Sequence, residues 1–354
     1  MDVEGKVELV KRTPTIELVT DEELKSLFET KAHPKHYIGF EISGYVHLGT
    51  GLLTSLKLKD LIAAGVKPTI FLADYHTWIN GKMGGDLELI RKIAAGYFKH
   101  AFVALGLPED KVDYVLASRM YNDEYWKMVL DISRNTTMNR MMRCVTIMGR
   151  KETDNLSSAG VLYPAMQAAD IFMLGVDIAH GGMDQRKIHM LAREIAPKLG
   201  KEKPIALHTG LLAGLQSSLR MNPTEDEVID AKMSKSVPDS AIFIHESEEE
   251  IRRKIGKANC APKILEGNPV VQYAEMLVLR DRALKIERPA KFGGDLEIAD
   301  VAQLKSEYAE GKLHPMDLKN AVARELCSML KPAREYFGKH EEYLKEMEKI
   351  KVTR

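Results

Sequence analysis

Cysteine is scarce in this sequence: Cys144, Cys260 and Cys327 are far apart, odd in number, and form no CxxC pair. A zinc site or a disulfide framework therefore lacks its ligands, and each cysteine is expected to serve as a small apolar residue. Net charge is missing too, since Lys plus Arg and Asp plus Glu both count 51. That argues against a protein that coats nucleic acid by charge alone and leaves room for RNA contacts through local patches. No apolar run approaches the roughly 18 residues that span a bilayer. The opening residues, MDVEGKVELVKR, are acidic and amphipathic, without the basic start and apolar stretch of a secretory signal. A cytoplasmic protein that does not engage membranes is expected. Internal repeats and low-complexity segments are absent as well.

What is present is the balance of a soluble globular protein, 45% apolar and 29% charged over 354 residues, enough for two domains. From about residue 36 to 200, short apolar runs alternate with helical patterns. Tyr37–Phe40, Thr69–Ala73, Val112–Ala117 and Val176–Ala179 read as strands, and Gly49–Ala64, Asp86–Leu105, Val161–Leu174 and Gln185–Leu199 as helices. This rhythm predicts an α/β fold, a Rossmann-like parallel sheet with helices on both faces, whose ligands bind outside the carboxyl ends of the strands. A polar, Met-rich segment from about 119 to 150 breaks the alternation; between Arg134 and Lys151 it holds five basic residues and no acid. Residues 216–240 read as a polar loop, and beyond Glu246 the patterns are mainly helical, a composition shift expected at a domain boundary.

Two stretches carry phosphate chemistry. Gly44-Tyr45-Val46-His47-Leu48-Gly49-Thr50 joins a strand to a helix, whose N-terminus offers unpaired N–H groups and a positive dipole end. Gly49 allows close approach, and His47 and Thr50 can donate to phosphate oxygens. Taken alone, a turn-capping histidine explains this stretch equally well. Lys232-Met233-Ser234-Lys235-Ser236 lies in the polar loop, where two ammonium groups can close over a polyphosphate. By itself it reads as a solvated charge run.

Together the two stretches resemble the paired signatures of class I aminoacyl-tRNA synthetases, His-Ile-Gly-His and Lys-Met-Ser-Lys-Ser. The second matches throughout, while Thr50 replaces the last histidine of the first. Further segments (YIGFEISG, FLADYH, YPAMQAADI, GGMDQRKIHMLARE, RPAKFGGDL and HPMDLKNAV) narrow the resemblance to tyrosyl-tRNA synthetases of the archaeal and eukaryotic type, over about residues 20–337. The resemblance implies a catalytic domain at 1–240, with a connective insertion at about 106–150 and a mobile loop at about 216–240. A helical anticodon-binding domain is implied at 241–354. It places Tyr37 and Asp170 at the substrate phenol, Tyr163, Gln167 and Gln185 at its ammonium and carboxylate, and Phe71 and His76 on the pocket wall. Gly39, His47, Gly49, Gly182, Asp184, Lys232, Ser234 and Lys235 fall on ATP, with His47, Thr50, Lys232 and Lys235 as the catalytic set. Magnesium is implied as ATP's companion, with no dedicated protein cage.

Residue chemistry is consistent with this. Tyr163, Gln167, Asp170 and Leu174 recur at helical intervals and share one face. Polar groups built for a hydroxyl are left unpaired by phenylalanine, a cost of about 1–3 kcal/mol each. A surface carboxylate is the other reading of Asp170, opposed by its neighbours Ala168, Ala169, Ile171 and Phe172. Phe71 is equally well explained by core packing. No residue need be a nucleophile or base, because the substrate carboxylate is ionised at neutral pH.

For tRNA(Tyr), the resemblance places Arg143 at the first acceptor base pair, with Arg186 and Lys187 nearby. Phe292 and Asp317 would read the anticodon by stacking and hydrogen bonding, and a homodimer is implied through the insertion. For Arg134 or Arg150 a solvated helix face is an equal alternative. Other readings of the whole are a tryptophanyl-tRNA synthetase, disfavoured because Tyr37 with Asp170 suits a phenol better than an indole N–H, and a synthetase-like RNA-binding protein without catalysis, supported only by Thr50. A small-molecule nucleotidyltransferase would leave the C-terminal matches unexplained.

Overall fold

The computed structural model describes residues 1–150, 155–217 and 238–350. Lys232, Ser234 and Lys235 therefore lie outside the described residues. Strands β1 (Thr15–Val19), β2 (Lys35–Phe40), β3 (Lys67–Leu72), β4 (Asp113–Leu116), β5 (Ile178–Gly182) and β6 (Ile205–Thr209) form one sheet in the order β1-β6-β5-β2-β3-β4. All neighbours are parallel except β1, which runs antiparallel to β6 at the edge.

The pleat explains why the central strands read as unbroken apolar runs. Ile38 and Ile70 pack into one hydrophobic cluster while Tyr37 and Phe71, one residue away on each strand, pack into another. Both faces are covered, so both parities of side chain are apolar or buried. The helix Ser158–Leu174 is capped by Ser157 and stopped by Gly175 in the left-handed conformation. The helix Asp123–Arg134 of the interrupting segment packs on it, and Tyr125 Oη donates to Met166 O at 3.1 Å.

Four strands were expected and are found, with ends shifted by two residues or fewer except for β5, which continues through Gly181 and Gly182. The edge strand β1 and strand β6 were not foreseen. Neither was the hairpin of β7 (Leu284–Ile286) and β8 (Leu296–Ile298) in the otherwise helical C-terminal region. There the long helix Pro315–Lys339 is followed by a short charged helix, Glu341–Glu348. One hydrophobic cluster joins both halves of the chain, taking in Val10, Leu58 and Ile70 together with Val278, Leu330, Phe337 and Met347.

Two buried polar knots brace this core. Lys57 Nζ donates to the carbonyls of Leu9, Val10 and Arg12 at 3.0, 3.0 and 2.7 Å and lies 3.3 Å from Asp60 Oδ2. Asp60 in turn takes both oxygens to Arg280 Nη2, at 2.8 and 2.7 Å, tying the helix Thr54–Ala63 to the C-terminal region. The second knot is two histidine pairs under the sheet, His36 Nε2 with His180 Nδ1 and His189 Nδ1 with His208 Nε2, each at 3.0 Å. Burial pushes all four imidazoles down, His36 to about 3, so they are neutral.

Candidate active site

The site is built at the carboxyl ends of the parallel strands. Alternate residues of β2 point to one face, which places Tyr37, Gly39 and, just past the strand end, Glu41 in line. Gly39 is needed there: a Cβ would lie 2.8 Å from the Tyr37 hydroxyl. Phe71, paired in register with Gly39, meets the Tyr37 ring edge-on at 5.8 Å.

The helix Ser158–Leu174 supplies the opposite wall through Tyr163, Gln167 and Asp170. Asp170 is 1% exposed, so it is no surface carboxylate. Its Oδ1 accepts from Tyr121 Oη at 3.0 Å, and His76 Nε2 lies 3.5 Å from Oδ2. Tyr121 Oη is also 3.2 Å from His76 Nδ1. Burial drives the Asp170 acid well above the carboxylate range, opposed by hydrogen bonds from Tyr121 and Tyr125. His76 is pushed down to about 3 by burial and is neutral. The Tyr37 phenol is raised by burial and by the charge of Asp170, while a hydrogen bond with Gln167 acts the other way.

The other end of the same cleft is a network of amides and a carboxylate. Tyr163 Oη donates to Glu41 Oε1 at 2.8 Å, and Asn80 Nδ2 donates to Glu41 at 3.0 and 3.2 Å. Gln167 Nε2 donates to Gln185 Oε1 at 3.0 Å, and Gln185 Nε2 to Ile147 O at 3.1 Å. The Tyr163 ring stands edge-on to His76 at 4.4 Å. Seven residues assigned to the amino acid, Tyr37, Phe71, His76, Tyr163, Gln167, Asp170 and Gln185, are thus gathered around one space. Asp74 turns out to be a clamp, accepting from Arg91 Nε at 3.1 Å and Ser118 N–H at 3.0 Å.

On the phosphate side, His47 sits between β2 and a helix that opens with the π turn Gly49–Leu53 and continues as Thr54–Ala63. Its Nδ1 accepts from the Gly49 N–H at 3.1 Å and the Thr50 N–H at 3.4 Å. The ring proton must then be on Nε2, which lies 3.1 Å from Thr50 Oγ1. His47 and Thr50 are therefore coupled donors at a helix start. At the end of β5, a Cβ on Gly182 would lie 2.5 Å from Leu211 and 2.7 Å from Asp184 Oδ1, so only glycine fits beside that carboxylate.

Of the residues assigned to tRNA, Arg186 and Lys187 directly follow the cleft residue Gln185, whereas Phe292 and Asp317 belong to the C-terminal region. Arg143 is exposed on the helix Met138–Cys144, which Arg140 ties to Glu194 of the helix Arg186–Ile195 at 2.9 and 3.0 Å. Arg186 opens that second helix, paired with Glu17 at 2.9 Å, with Lys187 next to it. Phe292 is 62% exposed in the turn between β7 and β8, and Asp317 is in the first turn of Pro315–Lys339.

Sequence reasoning missed three contributors: Glu41, Tyr121 and Tyr125. Glu41 had a signal, the two-residue alternation Tyr37, Gly39, Glu41. The two tyrosines had none, since packing of Asp123–Arg134 against Ser158–Leu174 is what brings them in.

Known proteins agree with this architecture. The model of the family described as tRNA synthetases class I (W and Y) matches residues 29–331. The chain is 52% identical to a tyrosine–tRNA ligase of Thermococcus gammatolerans, covering 100% of both chains. The fold is similar to a tyrosyl-tRNA synthetase of Pyrococcus horikoshii crystallised with L-tyrosine, with a TM-score of 0.93, 48% identity, and coverage of 98% of this chain and 100% of that one. The corresponding L-tyrosine complex from Archaeoglobus fulgidus gives a TM-score of 0.85 at 41% identity, covering 95% and 100%. With a match of this extent in sequence and in fold, the chain belongs to the class I tRNA synthetases of the tryptophan and tyrosine family.

Proposed function

We propose that this chain activates L-tyrosine with ATP, forming tyrosyl-adenylate and pyrophosphate, and then transfers the tyrosyl group to the 3′ end of tRNA(Tyr). The observation that carries this reading is the buried Asp170 facing Tyr37 at one end of a cleft whose other end is lined by Tyr163, Gln167, Gln185 and Glu41. The first end takes a phenol O–H, and the second takes an ammonium and a carboxylate. Phe71 and His76 wall the space between.

Activation needs position and charge stabilisation more than proton transfer. The substrate carboxylate attacks the α-phosphate, and pyrophosphate leaves. His47 Nε2–H and the Thr50 hydroxyl are the donors for the phosphate oxygens, with Gly39 and Gly49 allowing close approach. Gly182 and Asp184 take the ribose. Lys232, Ser234 and Lys235 complete the polyphosphate site in this reading. No cluster of three His, Cys, Asp or Glu side chains that could hold a metal exists among the described residues. Magnesium, in this proposal, would arrive with ATP.

For the tRNA, Arg143, Arg186 and Lys187 are assigned to the acceptor end, and Phe292 with Asp317 to the anticodon. This divides the chain into catalytic residues 1–240 and anticodon-binding residues 241–354. The exposed apolar residues Trp126, Leu130 and Met138 suit a homodimer contact through the insertion. No described helix is long and apolar enough to cross a membrane, and the cytoplasm is the assigned place of work.

Pyrophosphate exchange into ATP tests the core of the proposal. Exchange should depend on tyrosine, with phenylalanine and tryptophan far weaker at equal concentration. Exchange driven equally well by tryptophan would overturn the tyrosine assignment.

A further inference from the structure

The hydroxyl of Tyr121 has one proton and, besides the Tyr125 hydroxyl with which it also bonds, two further partners, Asp170 Oδ1 at 3.0 Å and His76 Nδ1 at 3.2 Å. An ionised carboxylate is the stronger acceptor, so the proton goes to Asp170. His76 must then donate from Nδ1 to the Tyr121 oxygen, which leaves Nε2 as a bare lone pair. That atom is buried and without a hydrogen-bond partner, 3.5 Å from Asp170 Oδ2. Two acceptors facing each other favour a proton between them, and that proton would turn Asp170 from an acceptor into a neutral acid. Such an acid cannot accept from a substrate phenol through the same oxygen.

Burial acts in the same direction, toward the neutral acid. Against both stand the hydrogen bonds of Tyr121 and Tyr125. Tyr125 Oη also donates to the Met166 carbonyl at 3.1 Å, which divides its single proton. Tyr121 is therefore the main donor that holds Asp170 ionised. Its ring is fixed by stacking on Tyr125 at 3.8 Å and on Tyr75 at 5.4 Å. The other groups around the carboxylate are Tyr37, Tyr163, His76 and Asp74. None of them brings a positive charge.

We propose that Tyr121 is a positioning residue for amino-acid selection, holding Asp170 as a hydrogen-bond acceptor turned to the substrate phenol. The proposal rests on the reading that Asp170 meets that phenol.

The test is Tyr121→Phe, which keeps the stacked ring and removes only the hydroxyl, with Asp170→Asn beside it. Pyrophosphate exchange is measured from pH 6 to 9, with KM for tyrosine and for ATP and kcat determined at each pH. A group that must be ionised, and whose affinity for protons has risen, is lost as pH falls. Tyr121→Phe should therefore raise the tyrosine KM by about ten- to a hundredfold near pH 6.5, the range of one charge-assisted hydrogen bond. The defect should shrink toward pH 9, with ATP KM unchanged and kcat within about twofold. A tyrosine KM equal to the parent's at every pH, or a loss independent of pH and shared with ATP, would overturn the proposal. If Asp170→Asn keeps full preference for tyrosine over phenylalanine, the underlying assignment of Asp170 fails instead. Loss of that preference with no effect of Tyr121→Phe sinks the positioning role alone.

Discussion

Asp60→Asn isolates the first buried knot, because it removes one charge and almost no volume. The carboxylate it deletes serves Arg280 through both oxygens and Lys57 through one, and the three side chains are 6%, 2% and 0% exposed. Removing one partner of such a group leaves the others charged and buried, a cost of about 3–5 kcal/mol. At about 2.1 cal/mol/K of unfolding entropy per residue, that lowers the melting temperature by roughly 4–7 °C. The pH dependence has a defined sign. Burial lowers the Lys57 ammonium from 10.5 to about 8, with Asp60 acting to raise it. Between those values the unfolded chain binds more protons than the folded one, so stability rises with pH across that window. Without Asp60 the window opens at lower pH, and the gap between variant and parent should narrow from pH 7 to pH 9. Urea unfolding at the two pH values measures this, and adding Lys57→Met should recover part of the loss at pH 7. A loss below about 1 kcal/mol at pH 7, or a gap that widens with pH, would refute the reasoning.

Acid should unfold the protein early. His36, His76, His180 and His189 are all held neutral by burial, so below their ordinary 6.5 the unfolded chain takes up protons that the folded chain refuses. Stability is lost as pH falls, at about 1.4 kcal/mol per pH unit per group, and circular dichroism should show a steep transition near pH 5; an intact spectrum at pH 4 would contradict this. Glu41→Gln weakens the acceptor for Tyr163 and Asn80, and in the proposed site for the substrate ammonium; tyrosine KM should rise about ten- to a hundredfold in exchange assays, with ATP KM unaffected. Thr50→Val removes one of two coupled donors at the helix start, and kcat for exchange should fall by about a hundredfold, the lower end for losing one donor to developing charge, while tyrosine KM stays within a factor of two.

Much of the architecture was legible because burial on both faces leaves a plain mark. β2 and β3 are apolar over their inner halves, Tyr37–Phe40 and Ile70–Leu72, and their helices carry clear periodicity. β1 was hidden because it is a sheet edge carrying Glu17 in its middle, and that carboxylate answers His208 and Arg186, which no local pattern reveals. His208 likewise interrupts β6. The phenol end of the cleft was readable from helical spacing through Gln167 and Asp170. Tyr121 was not, since its distance from Asp170 is set by the packing of one helix on another, 49 residues apart in sequence. The Lys232–Ser236 stretch was legible in sequence and lies outside the described residues.

The shared hydrophobic cluster has a consequence for synthesis. Val10 is buried against the same body of side chains as Met347 and Ile350. A ribosome must therefore deliver nearly all of the chain before that core can close, and until then the early strands hold apolar surface with nothing to cover it. Chaperone demand during translation should accordingly be high for a chain of this length. An early stop codon that spares every residue of the amino-acid cleft would still leave the buried Asp60 without Arg280, which meets both of its oxygens.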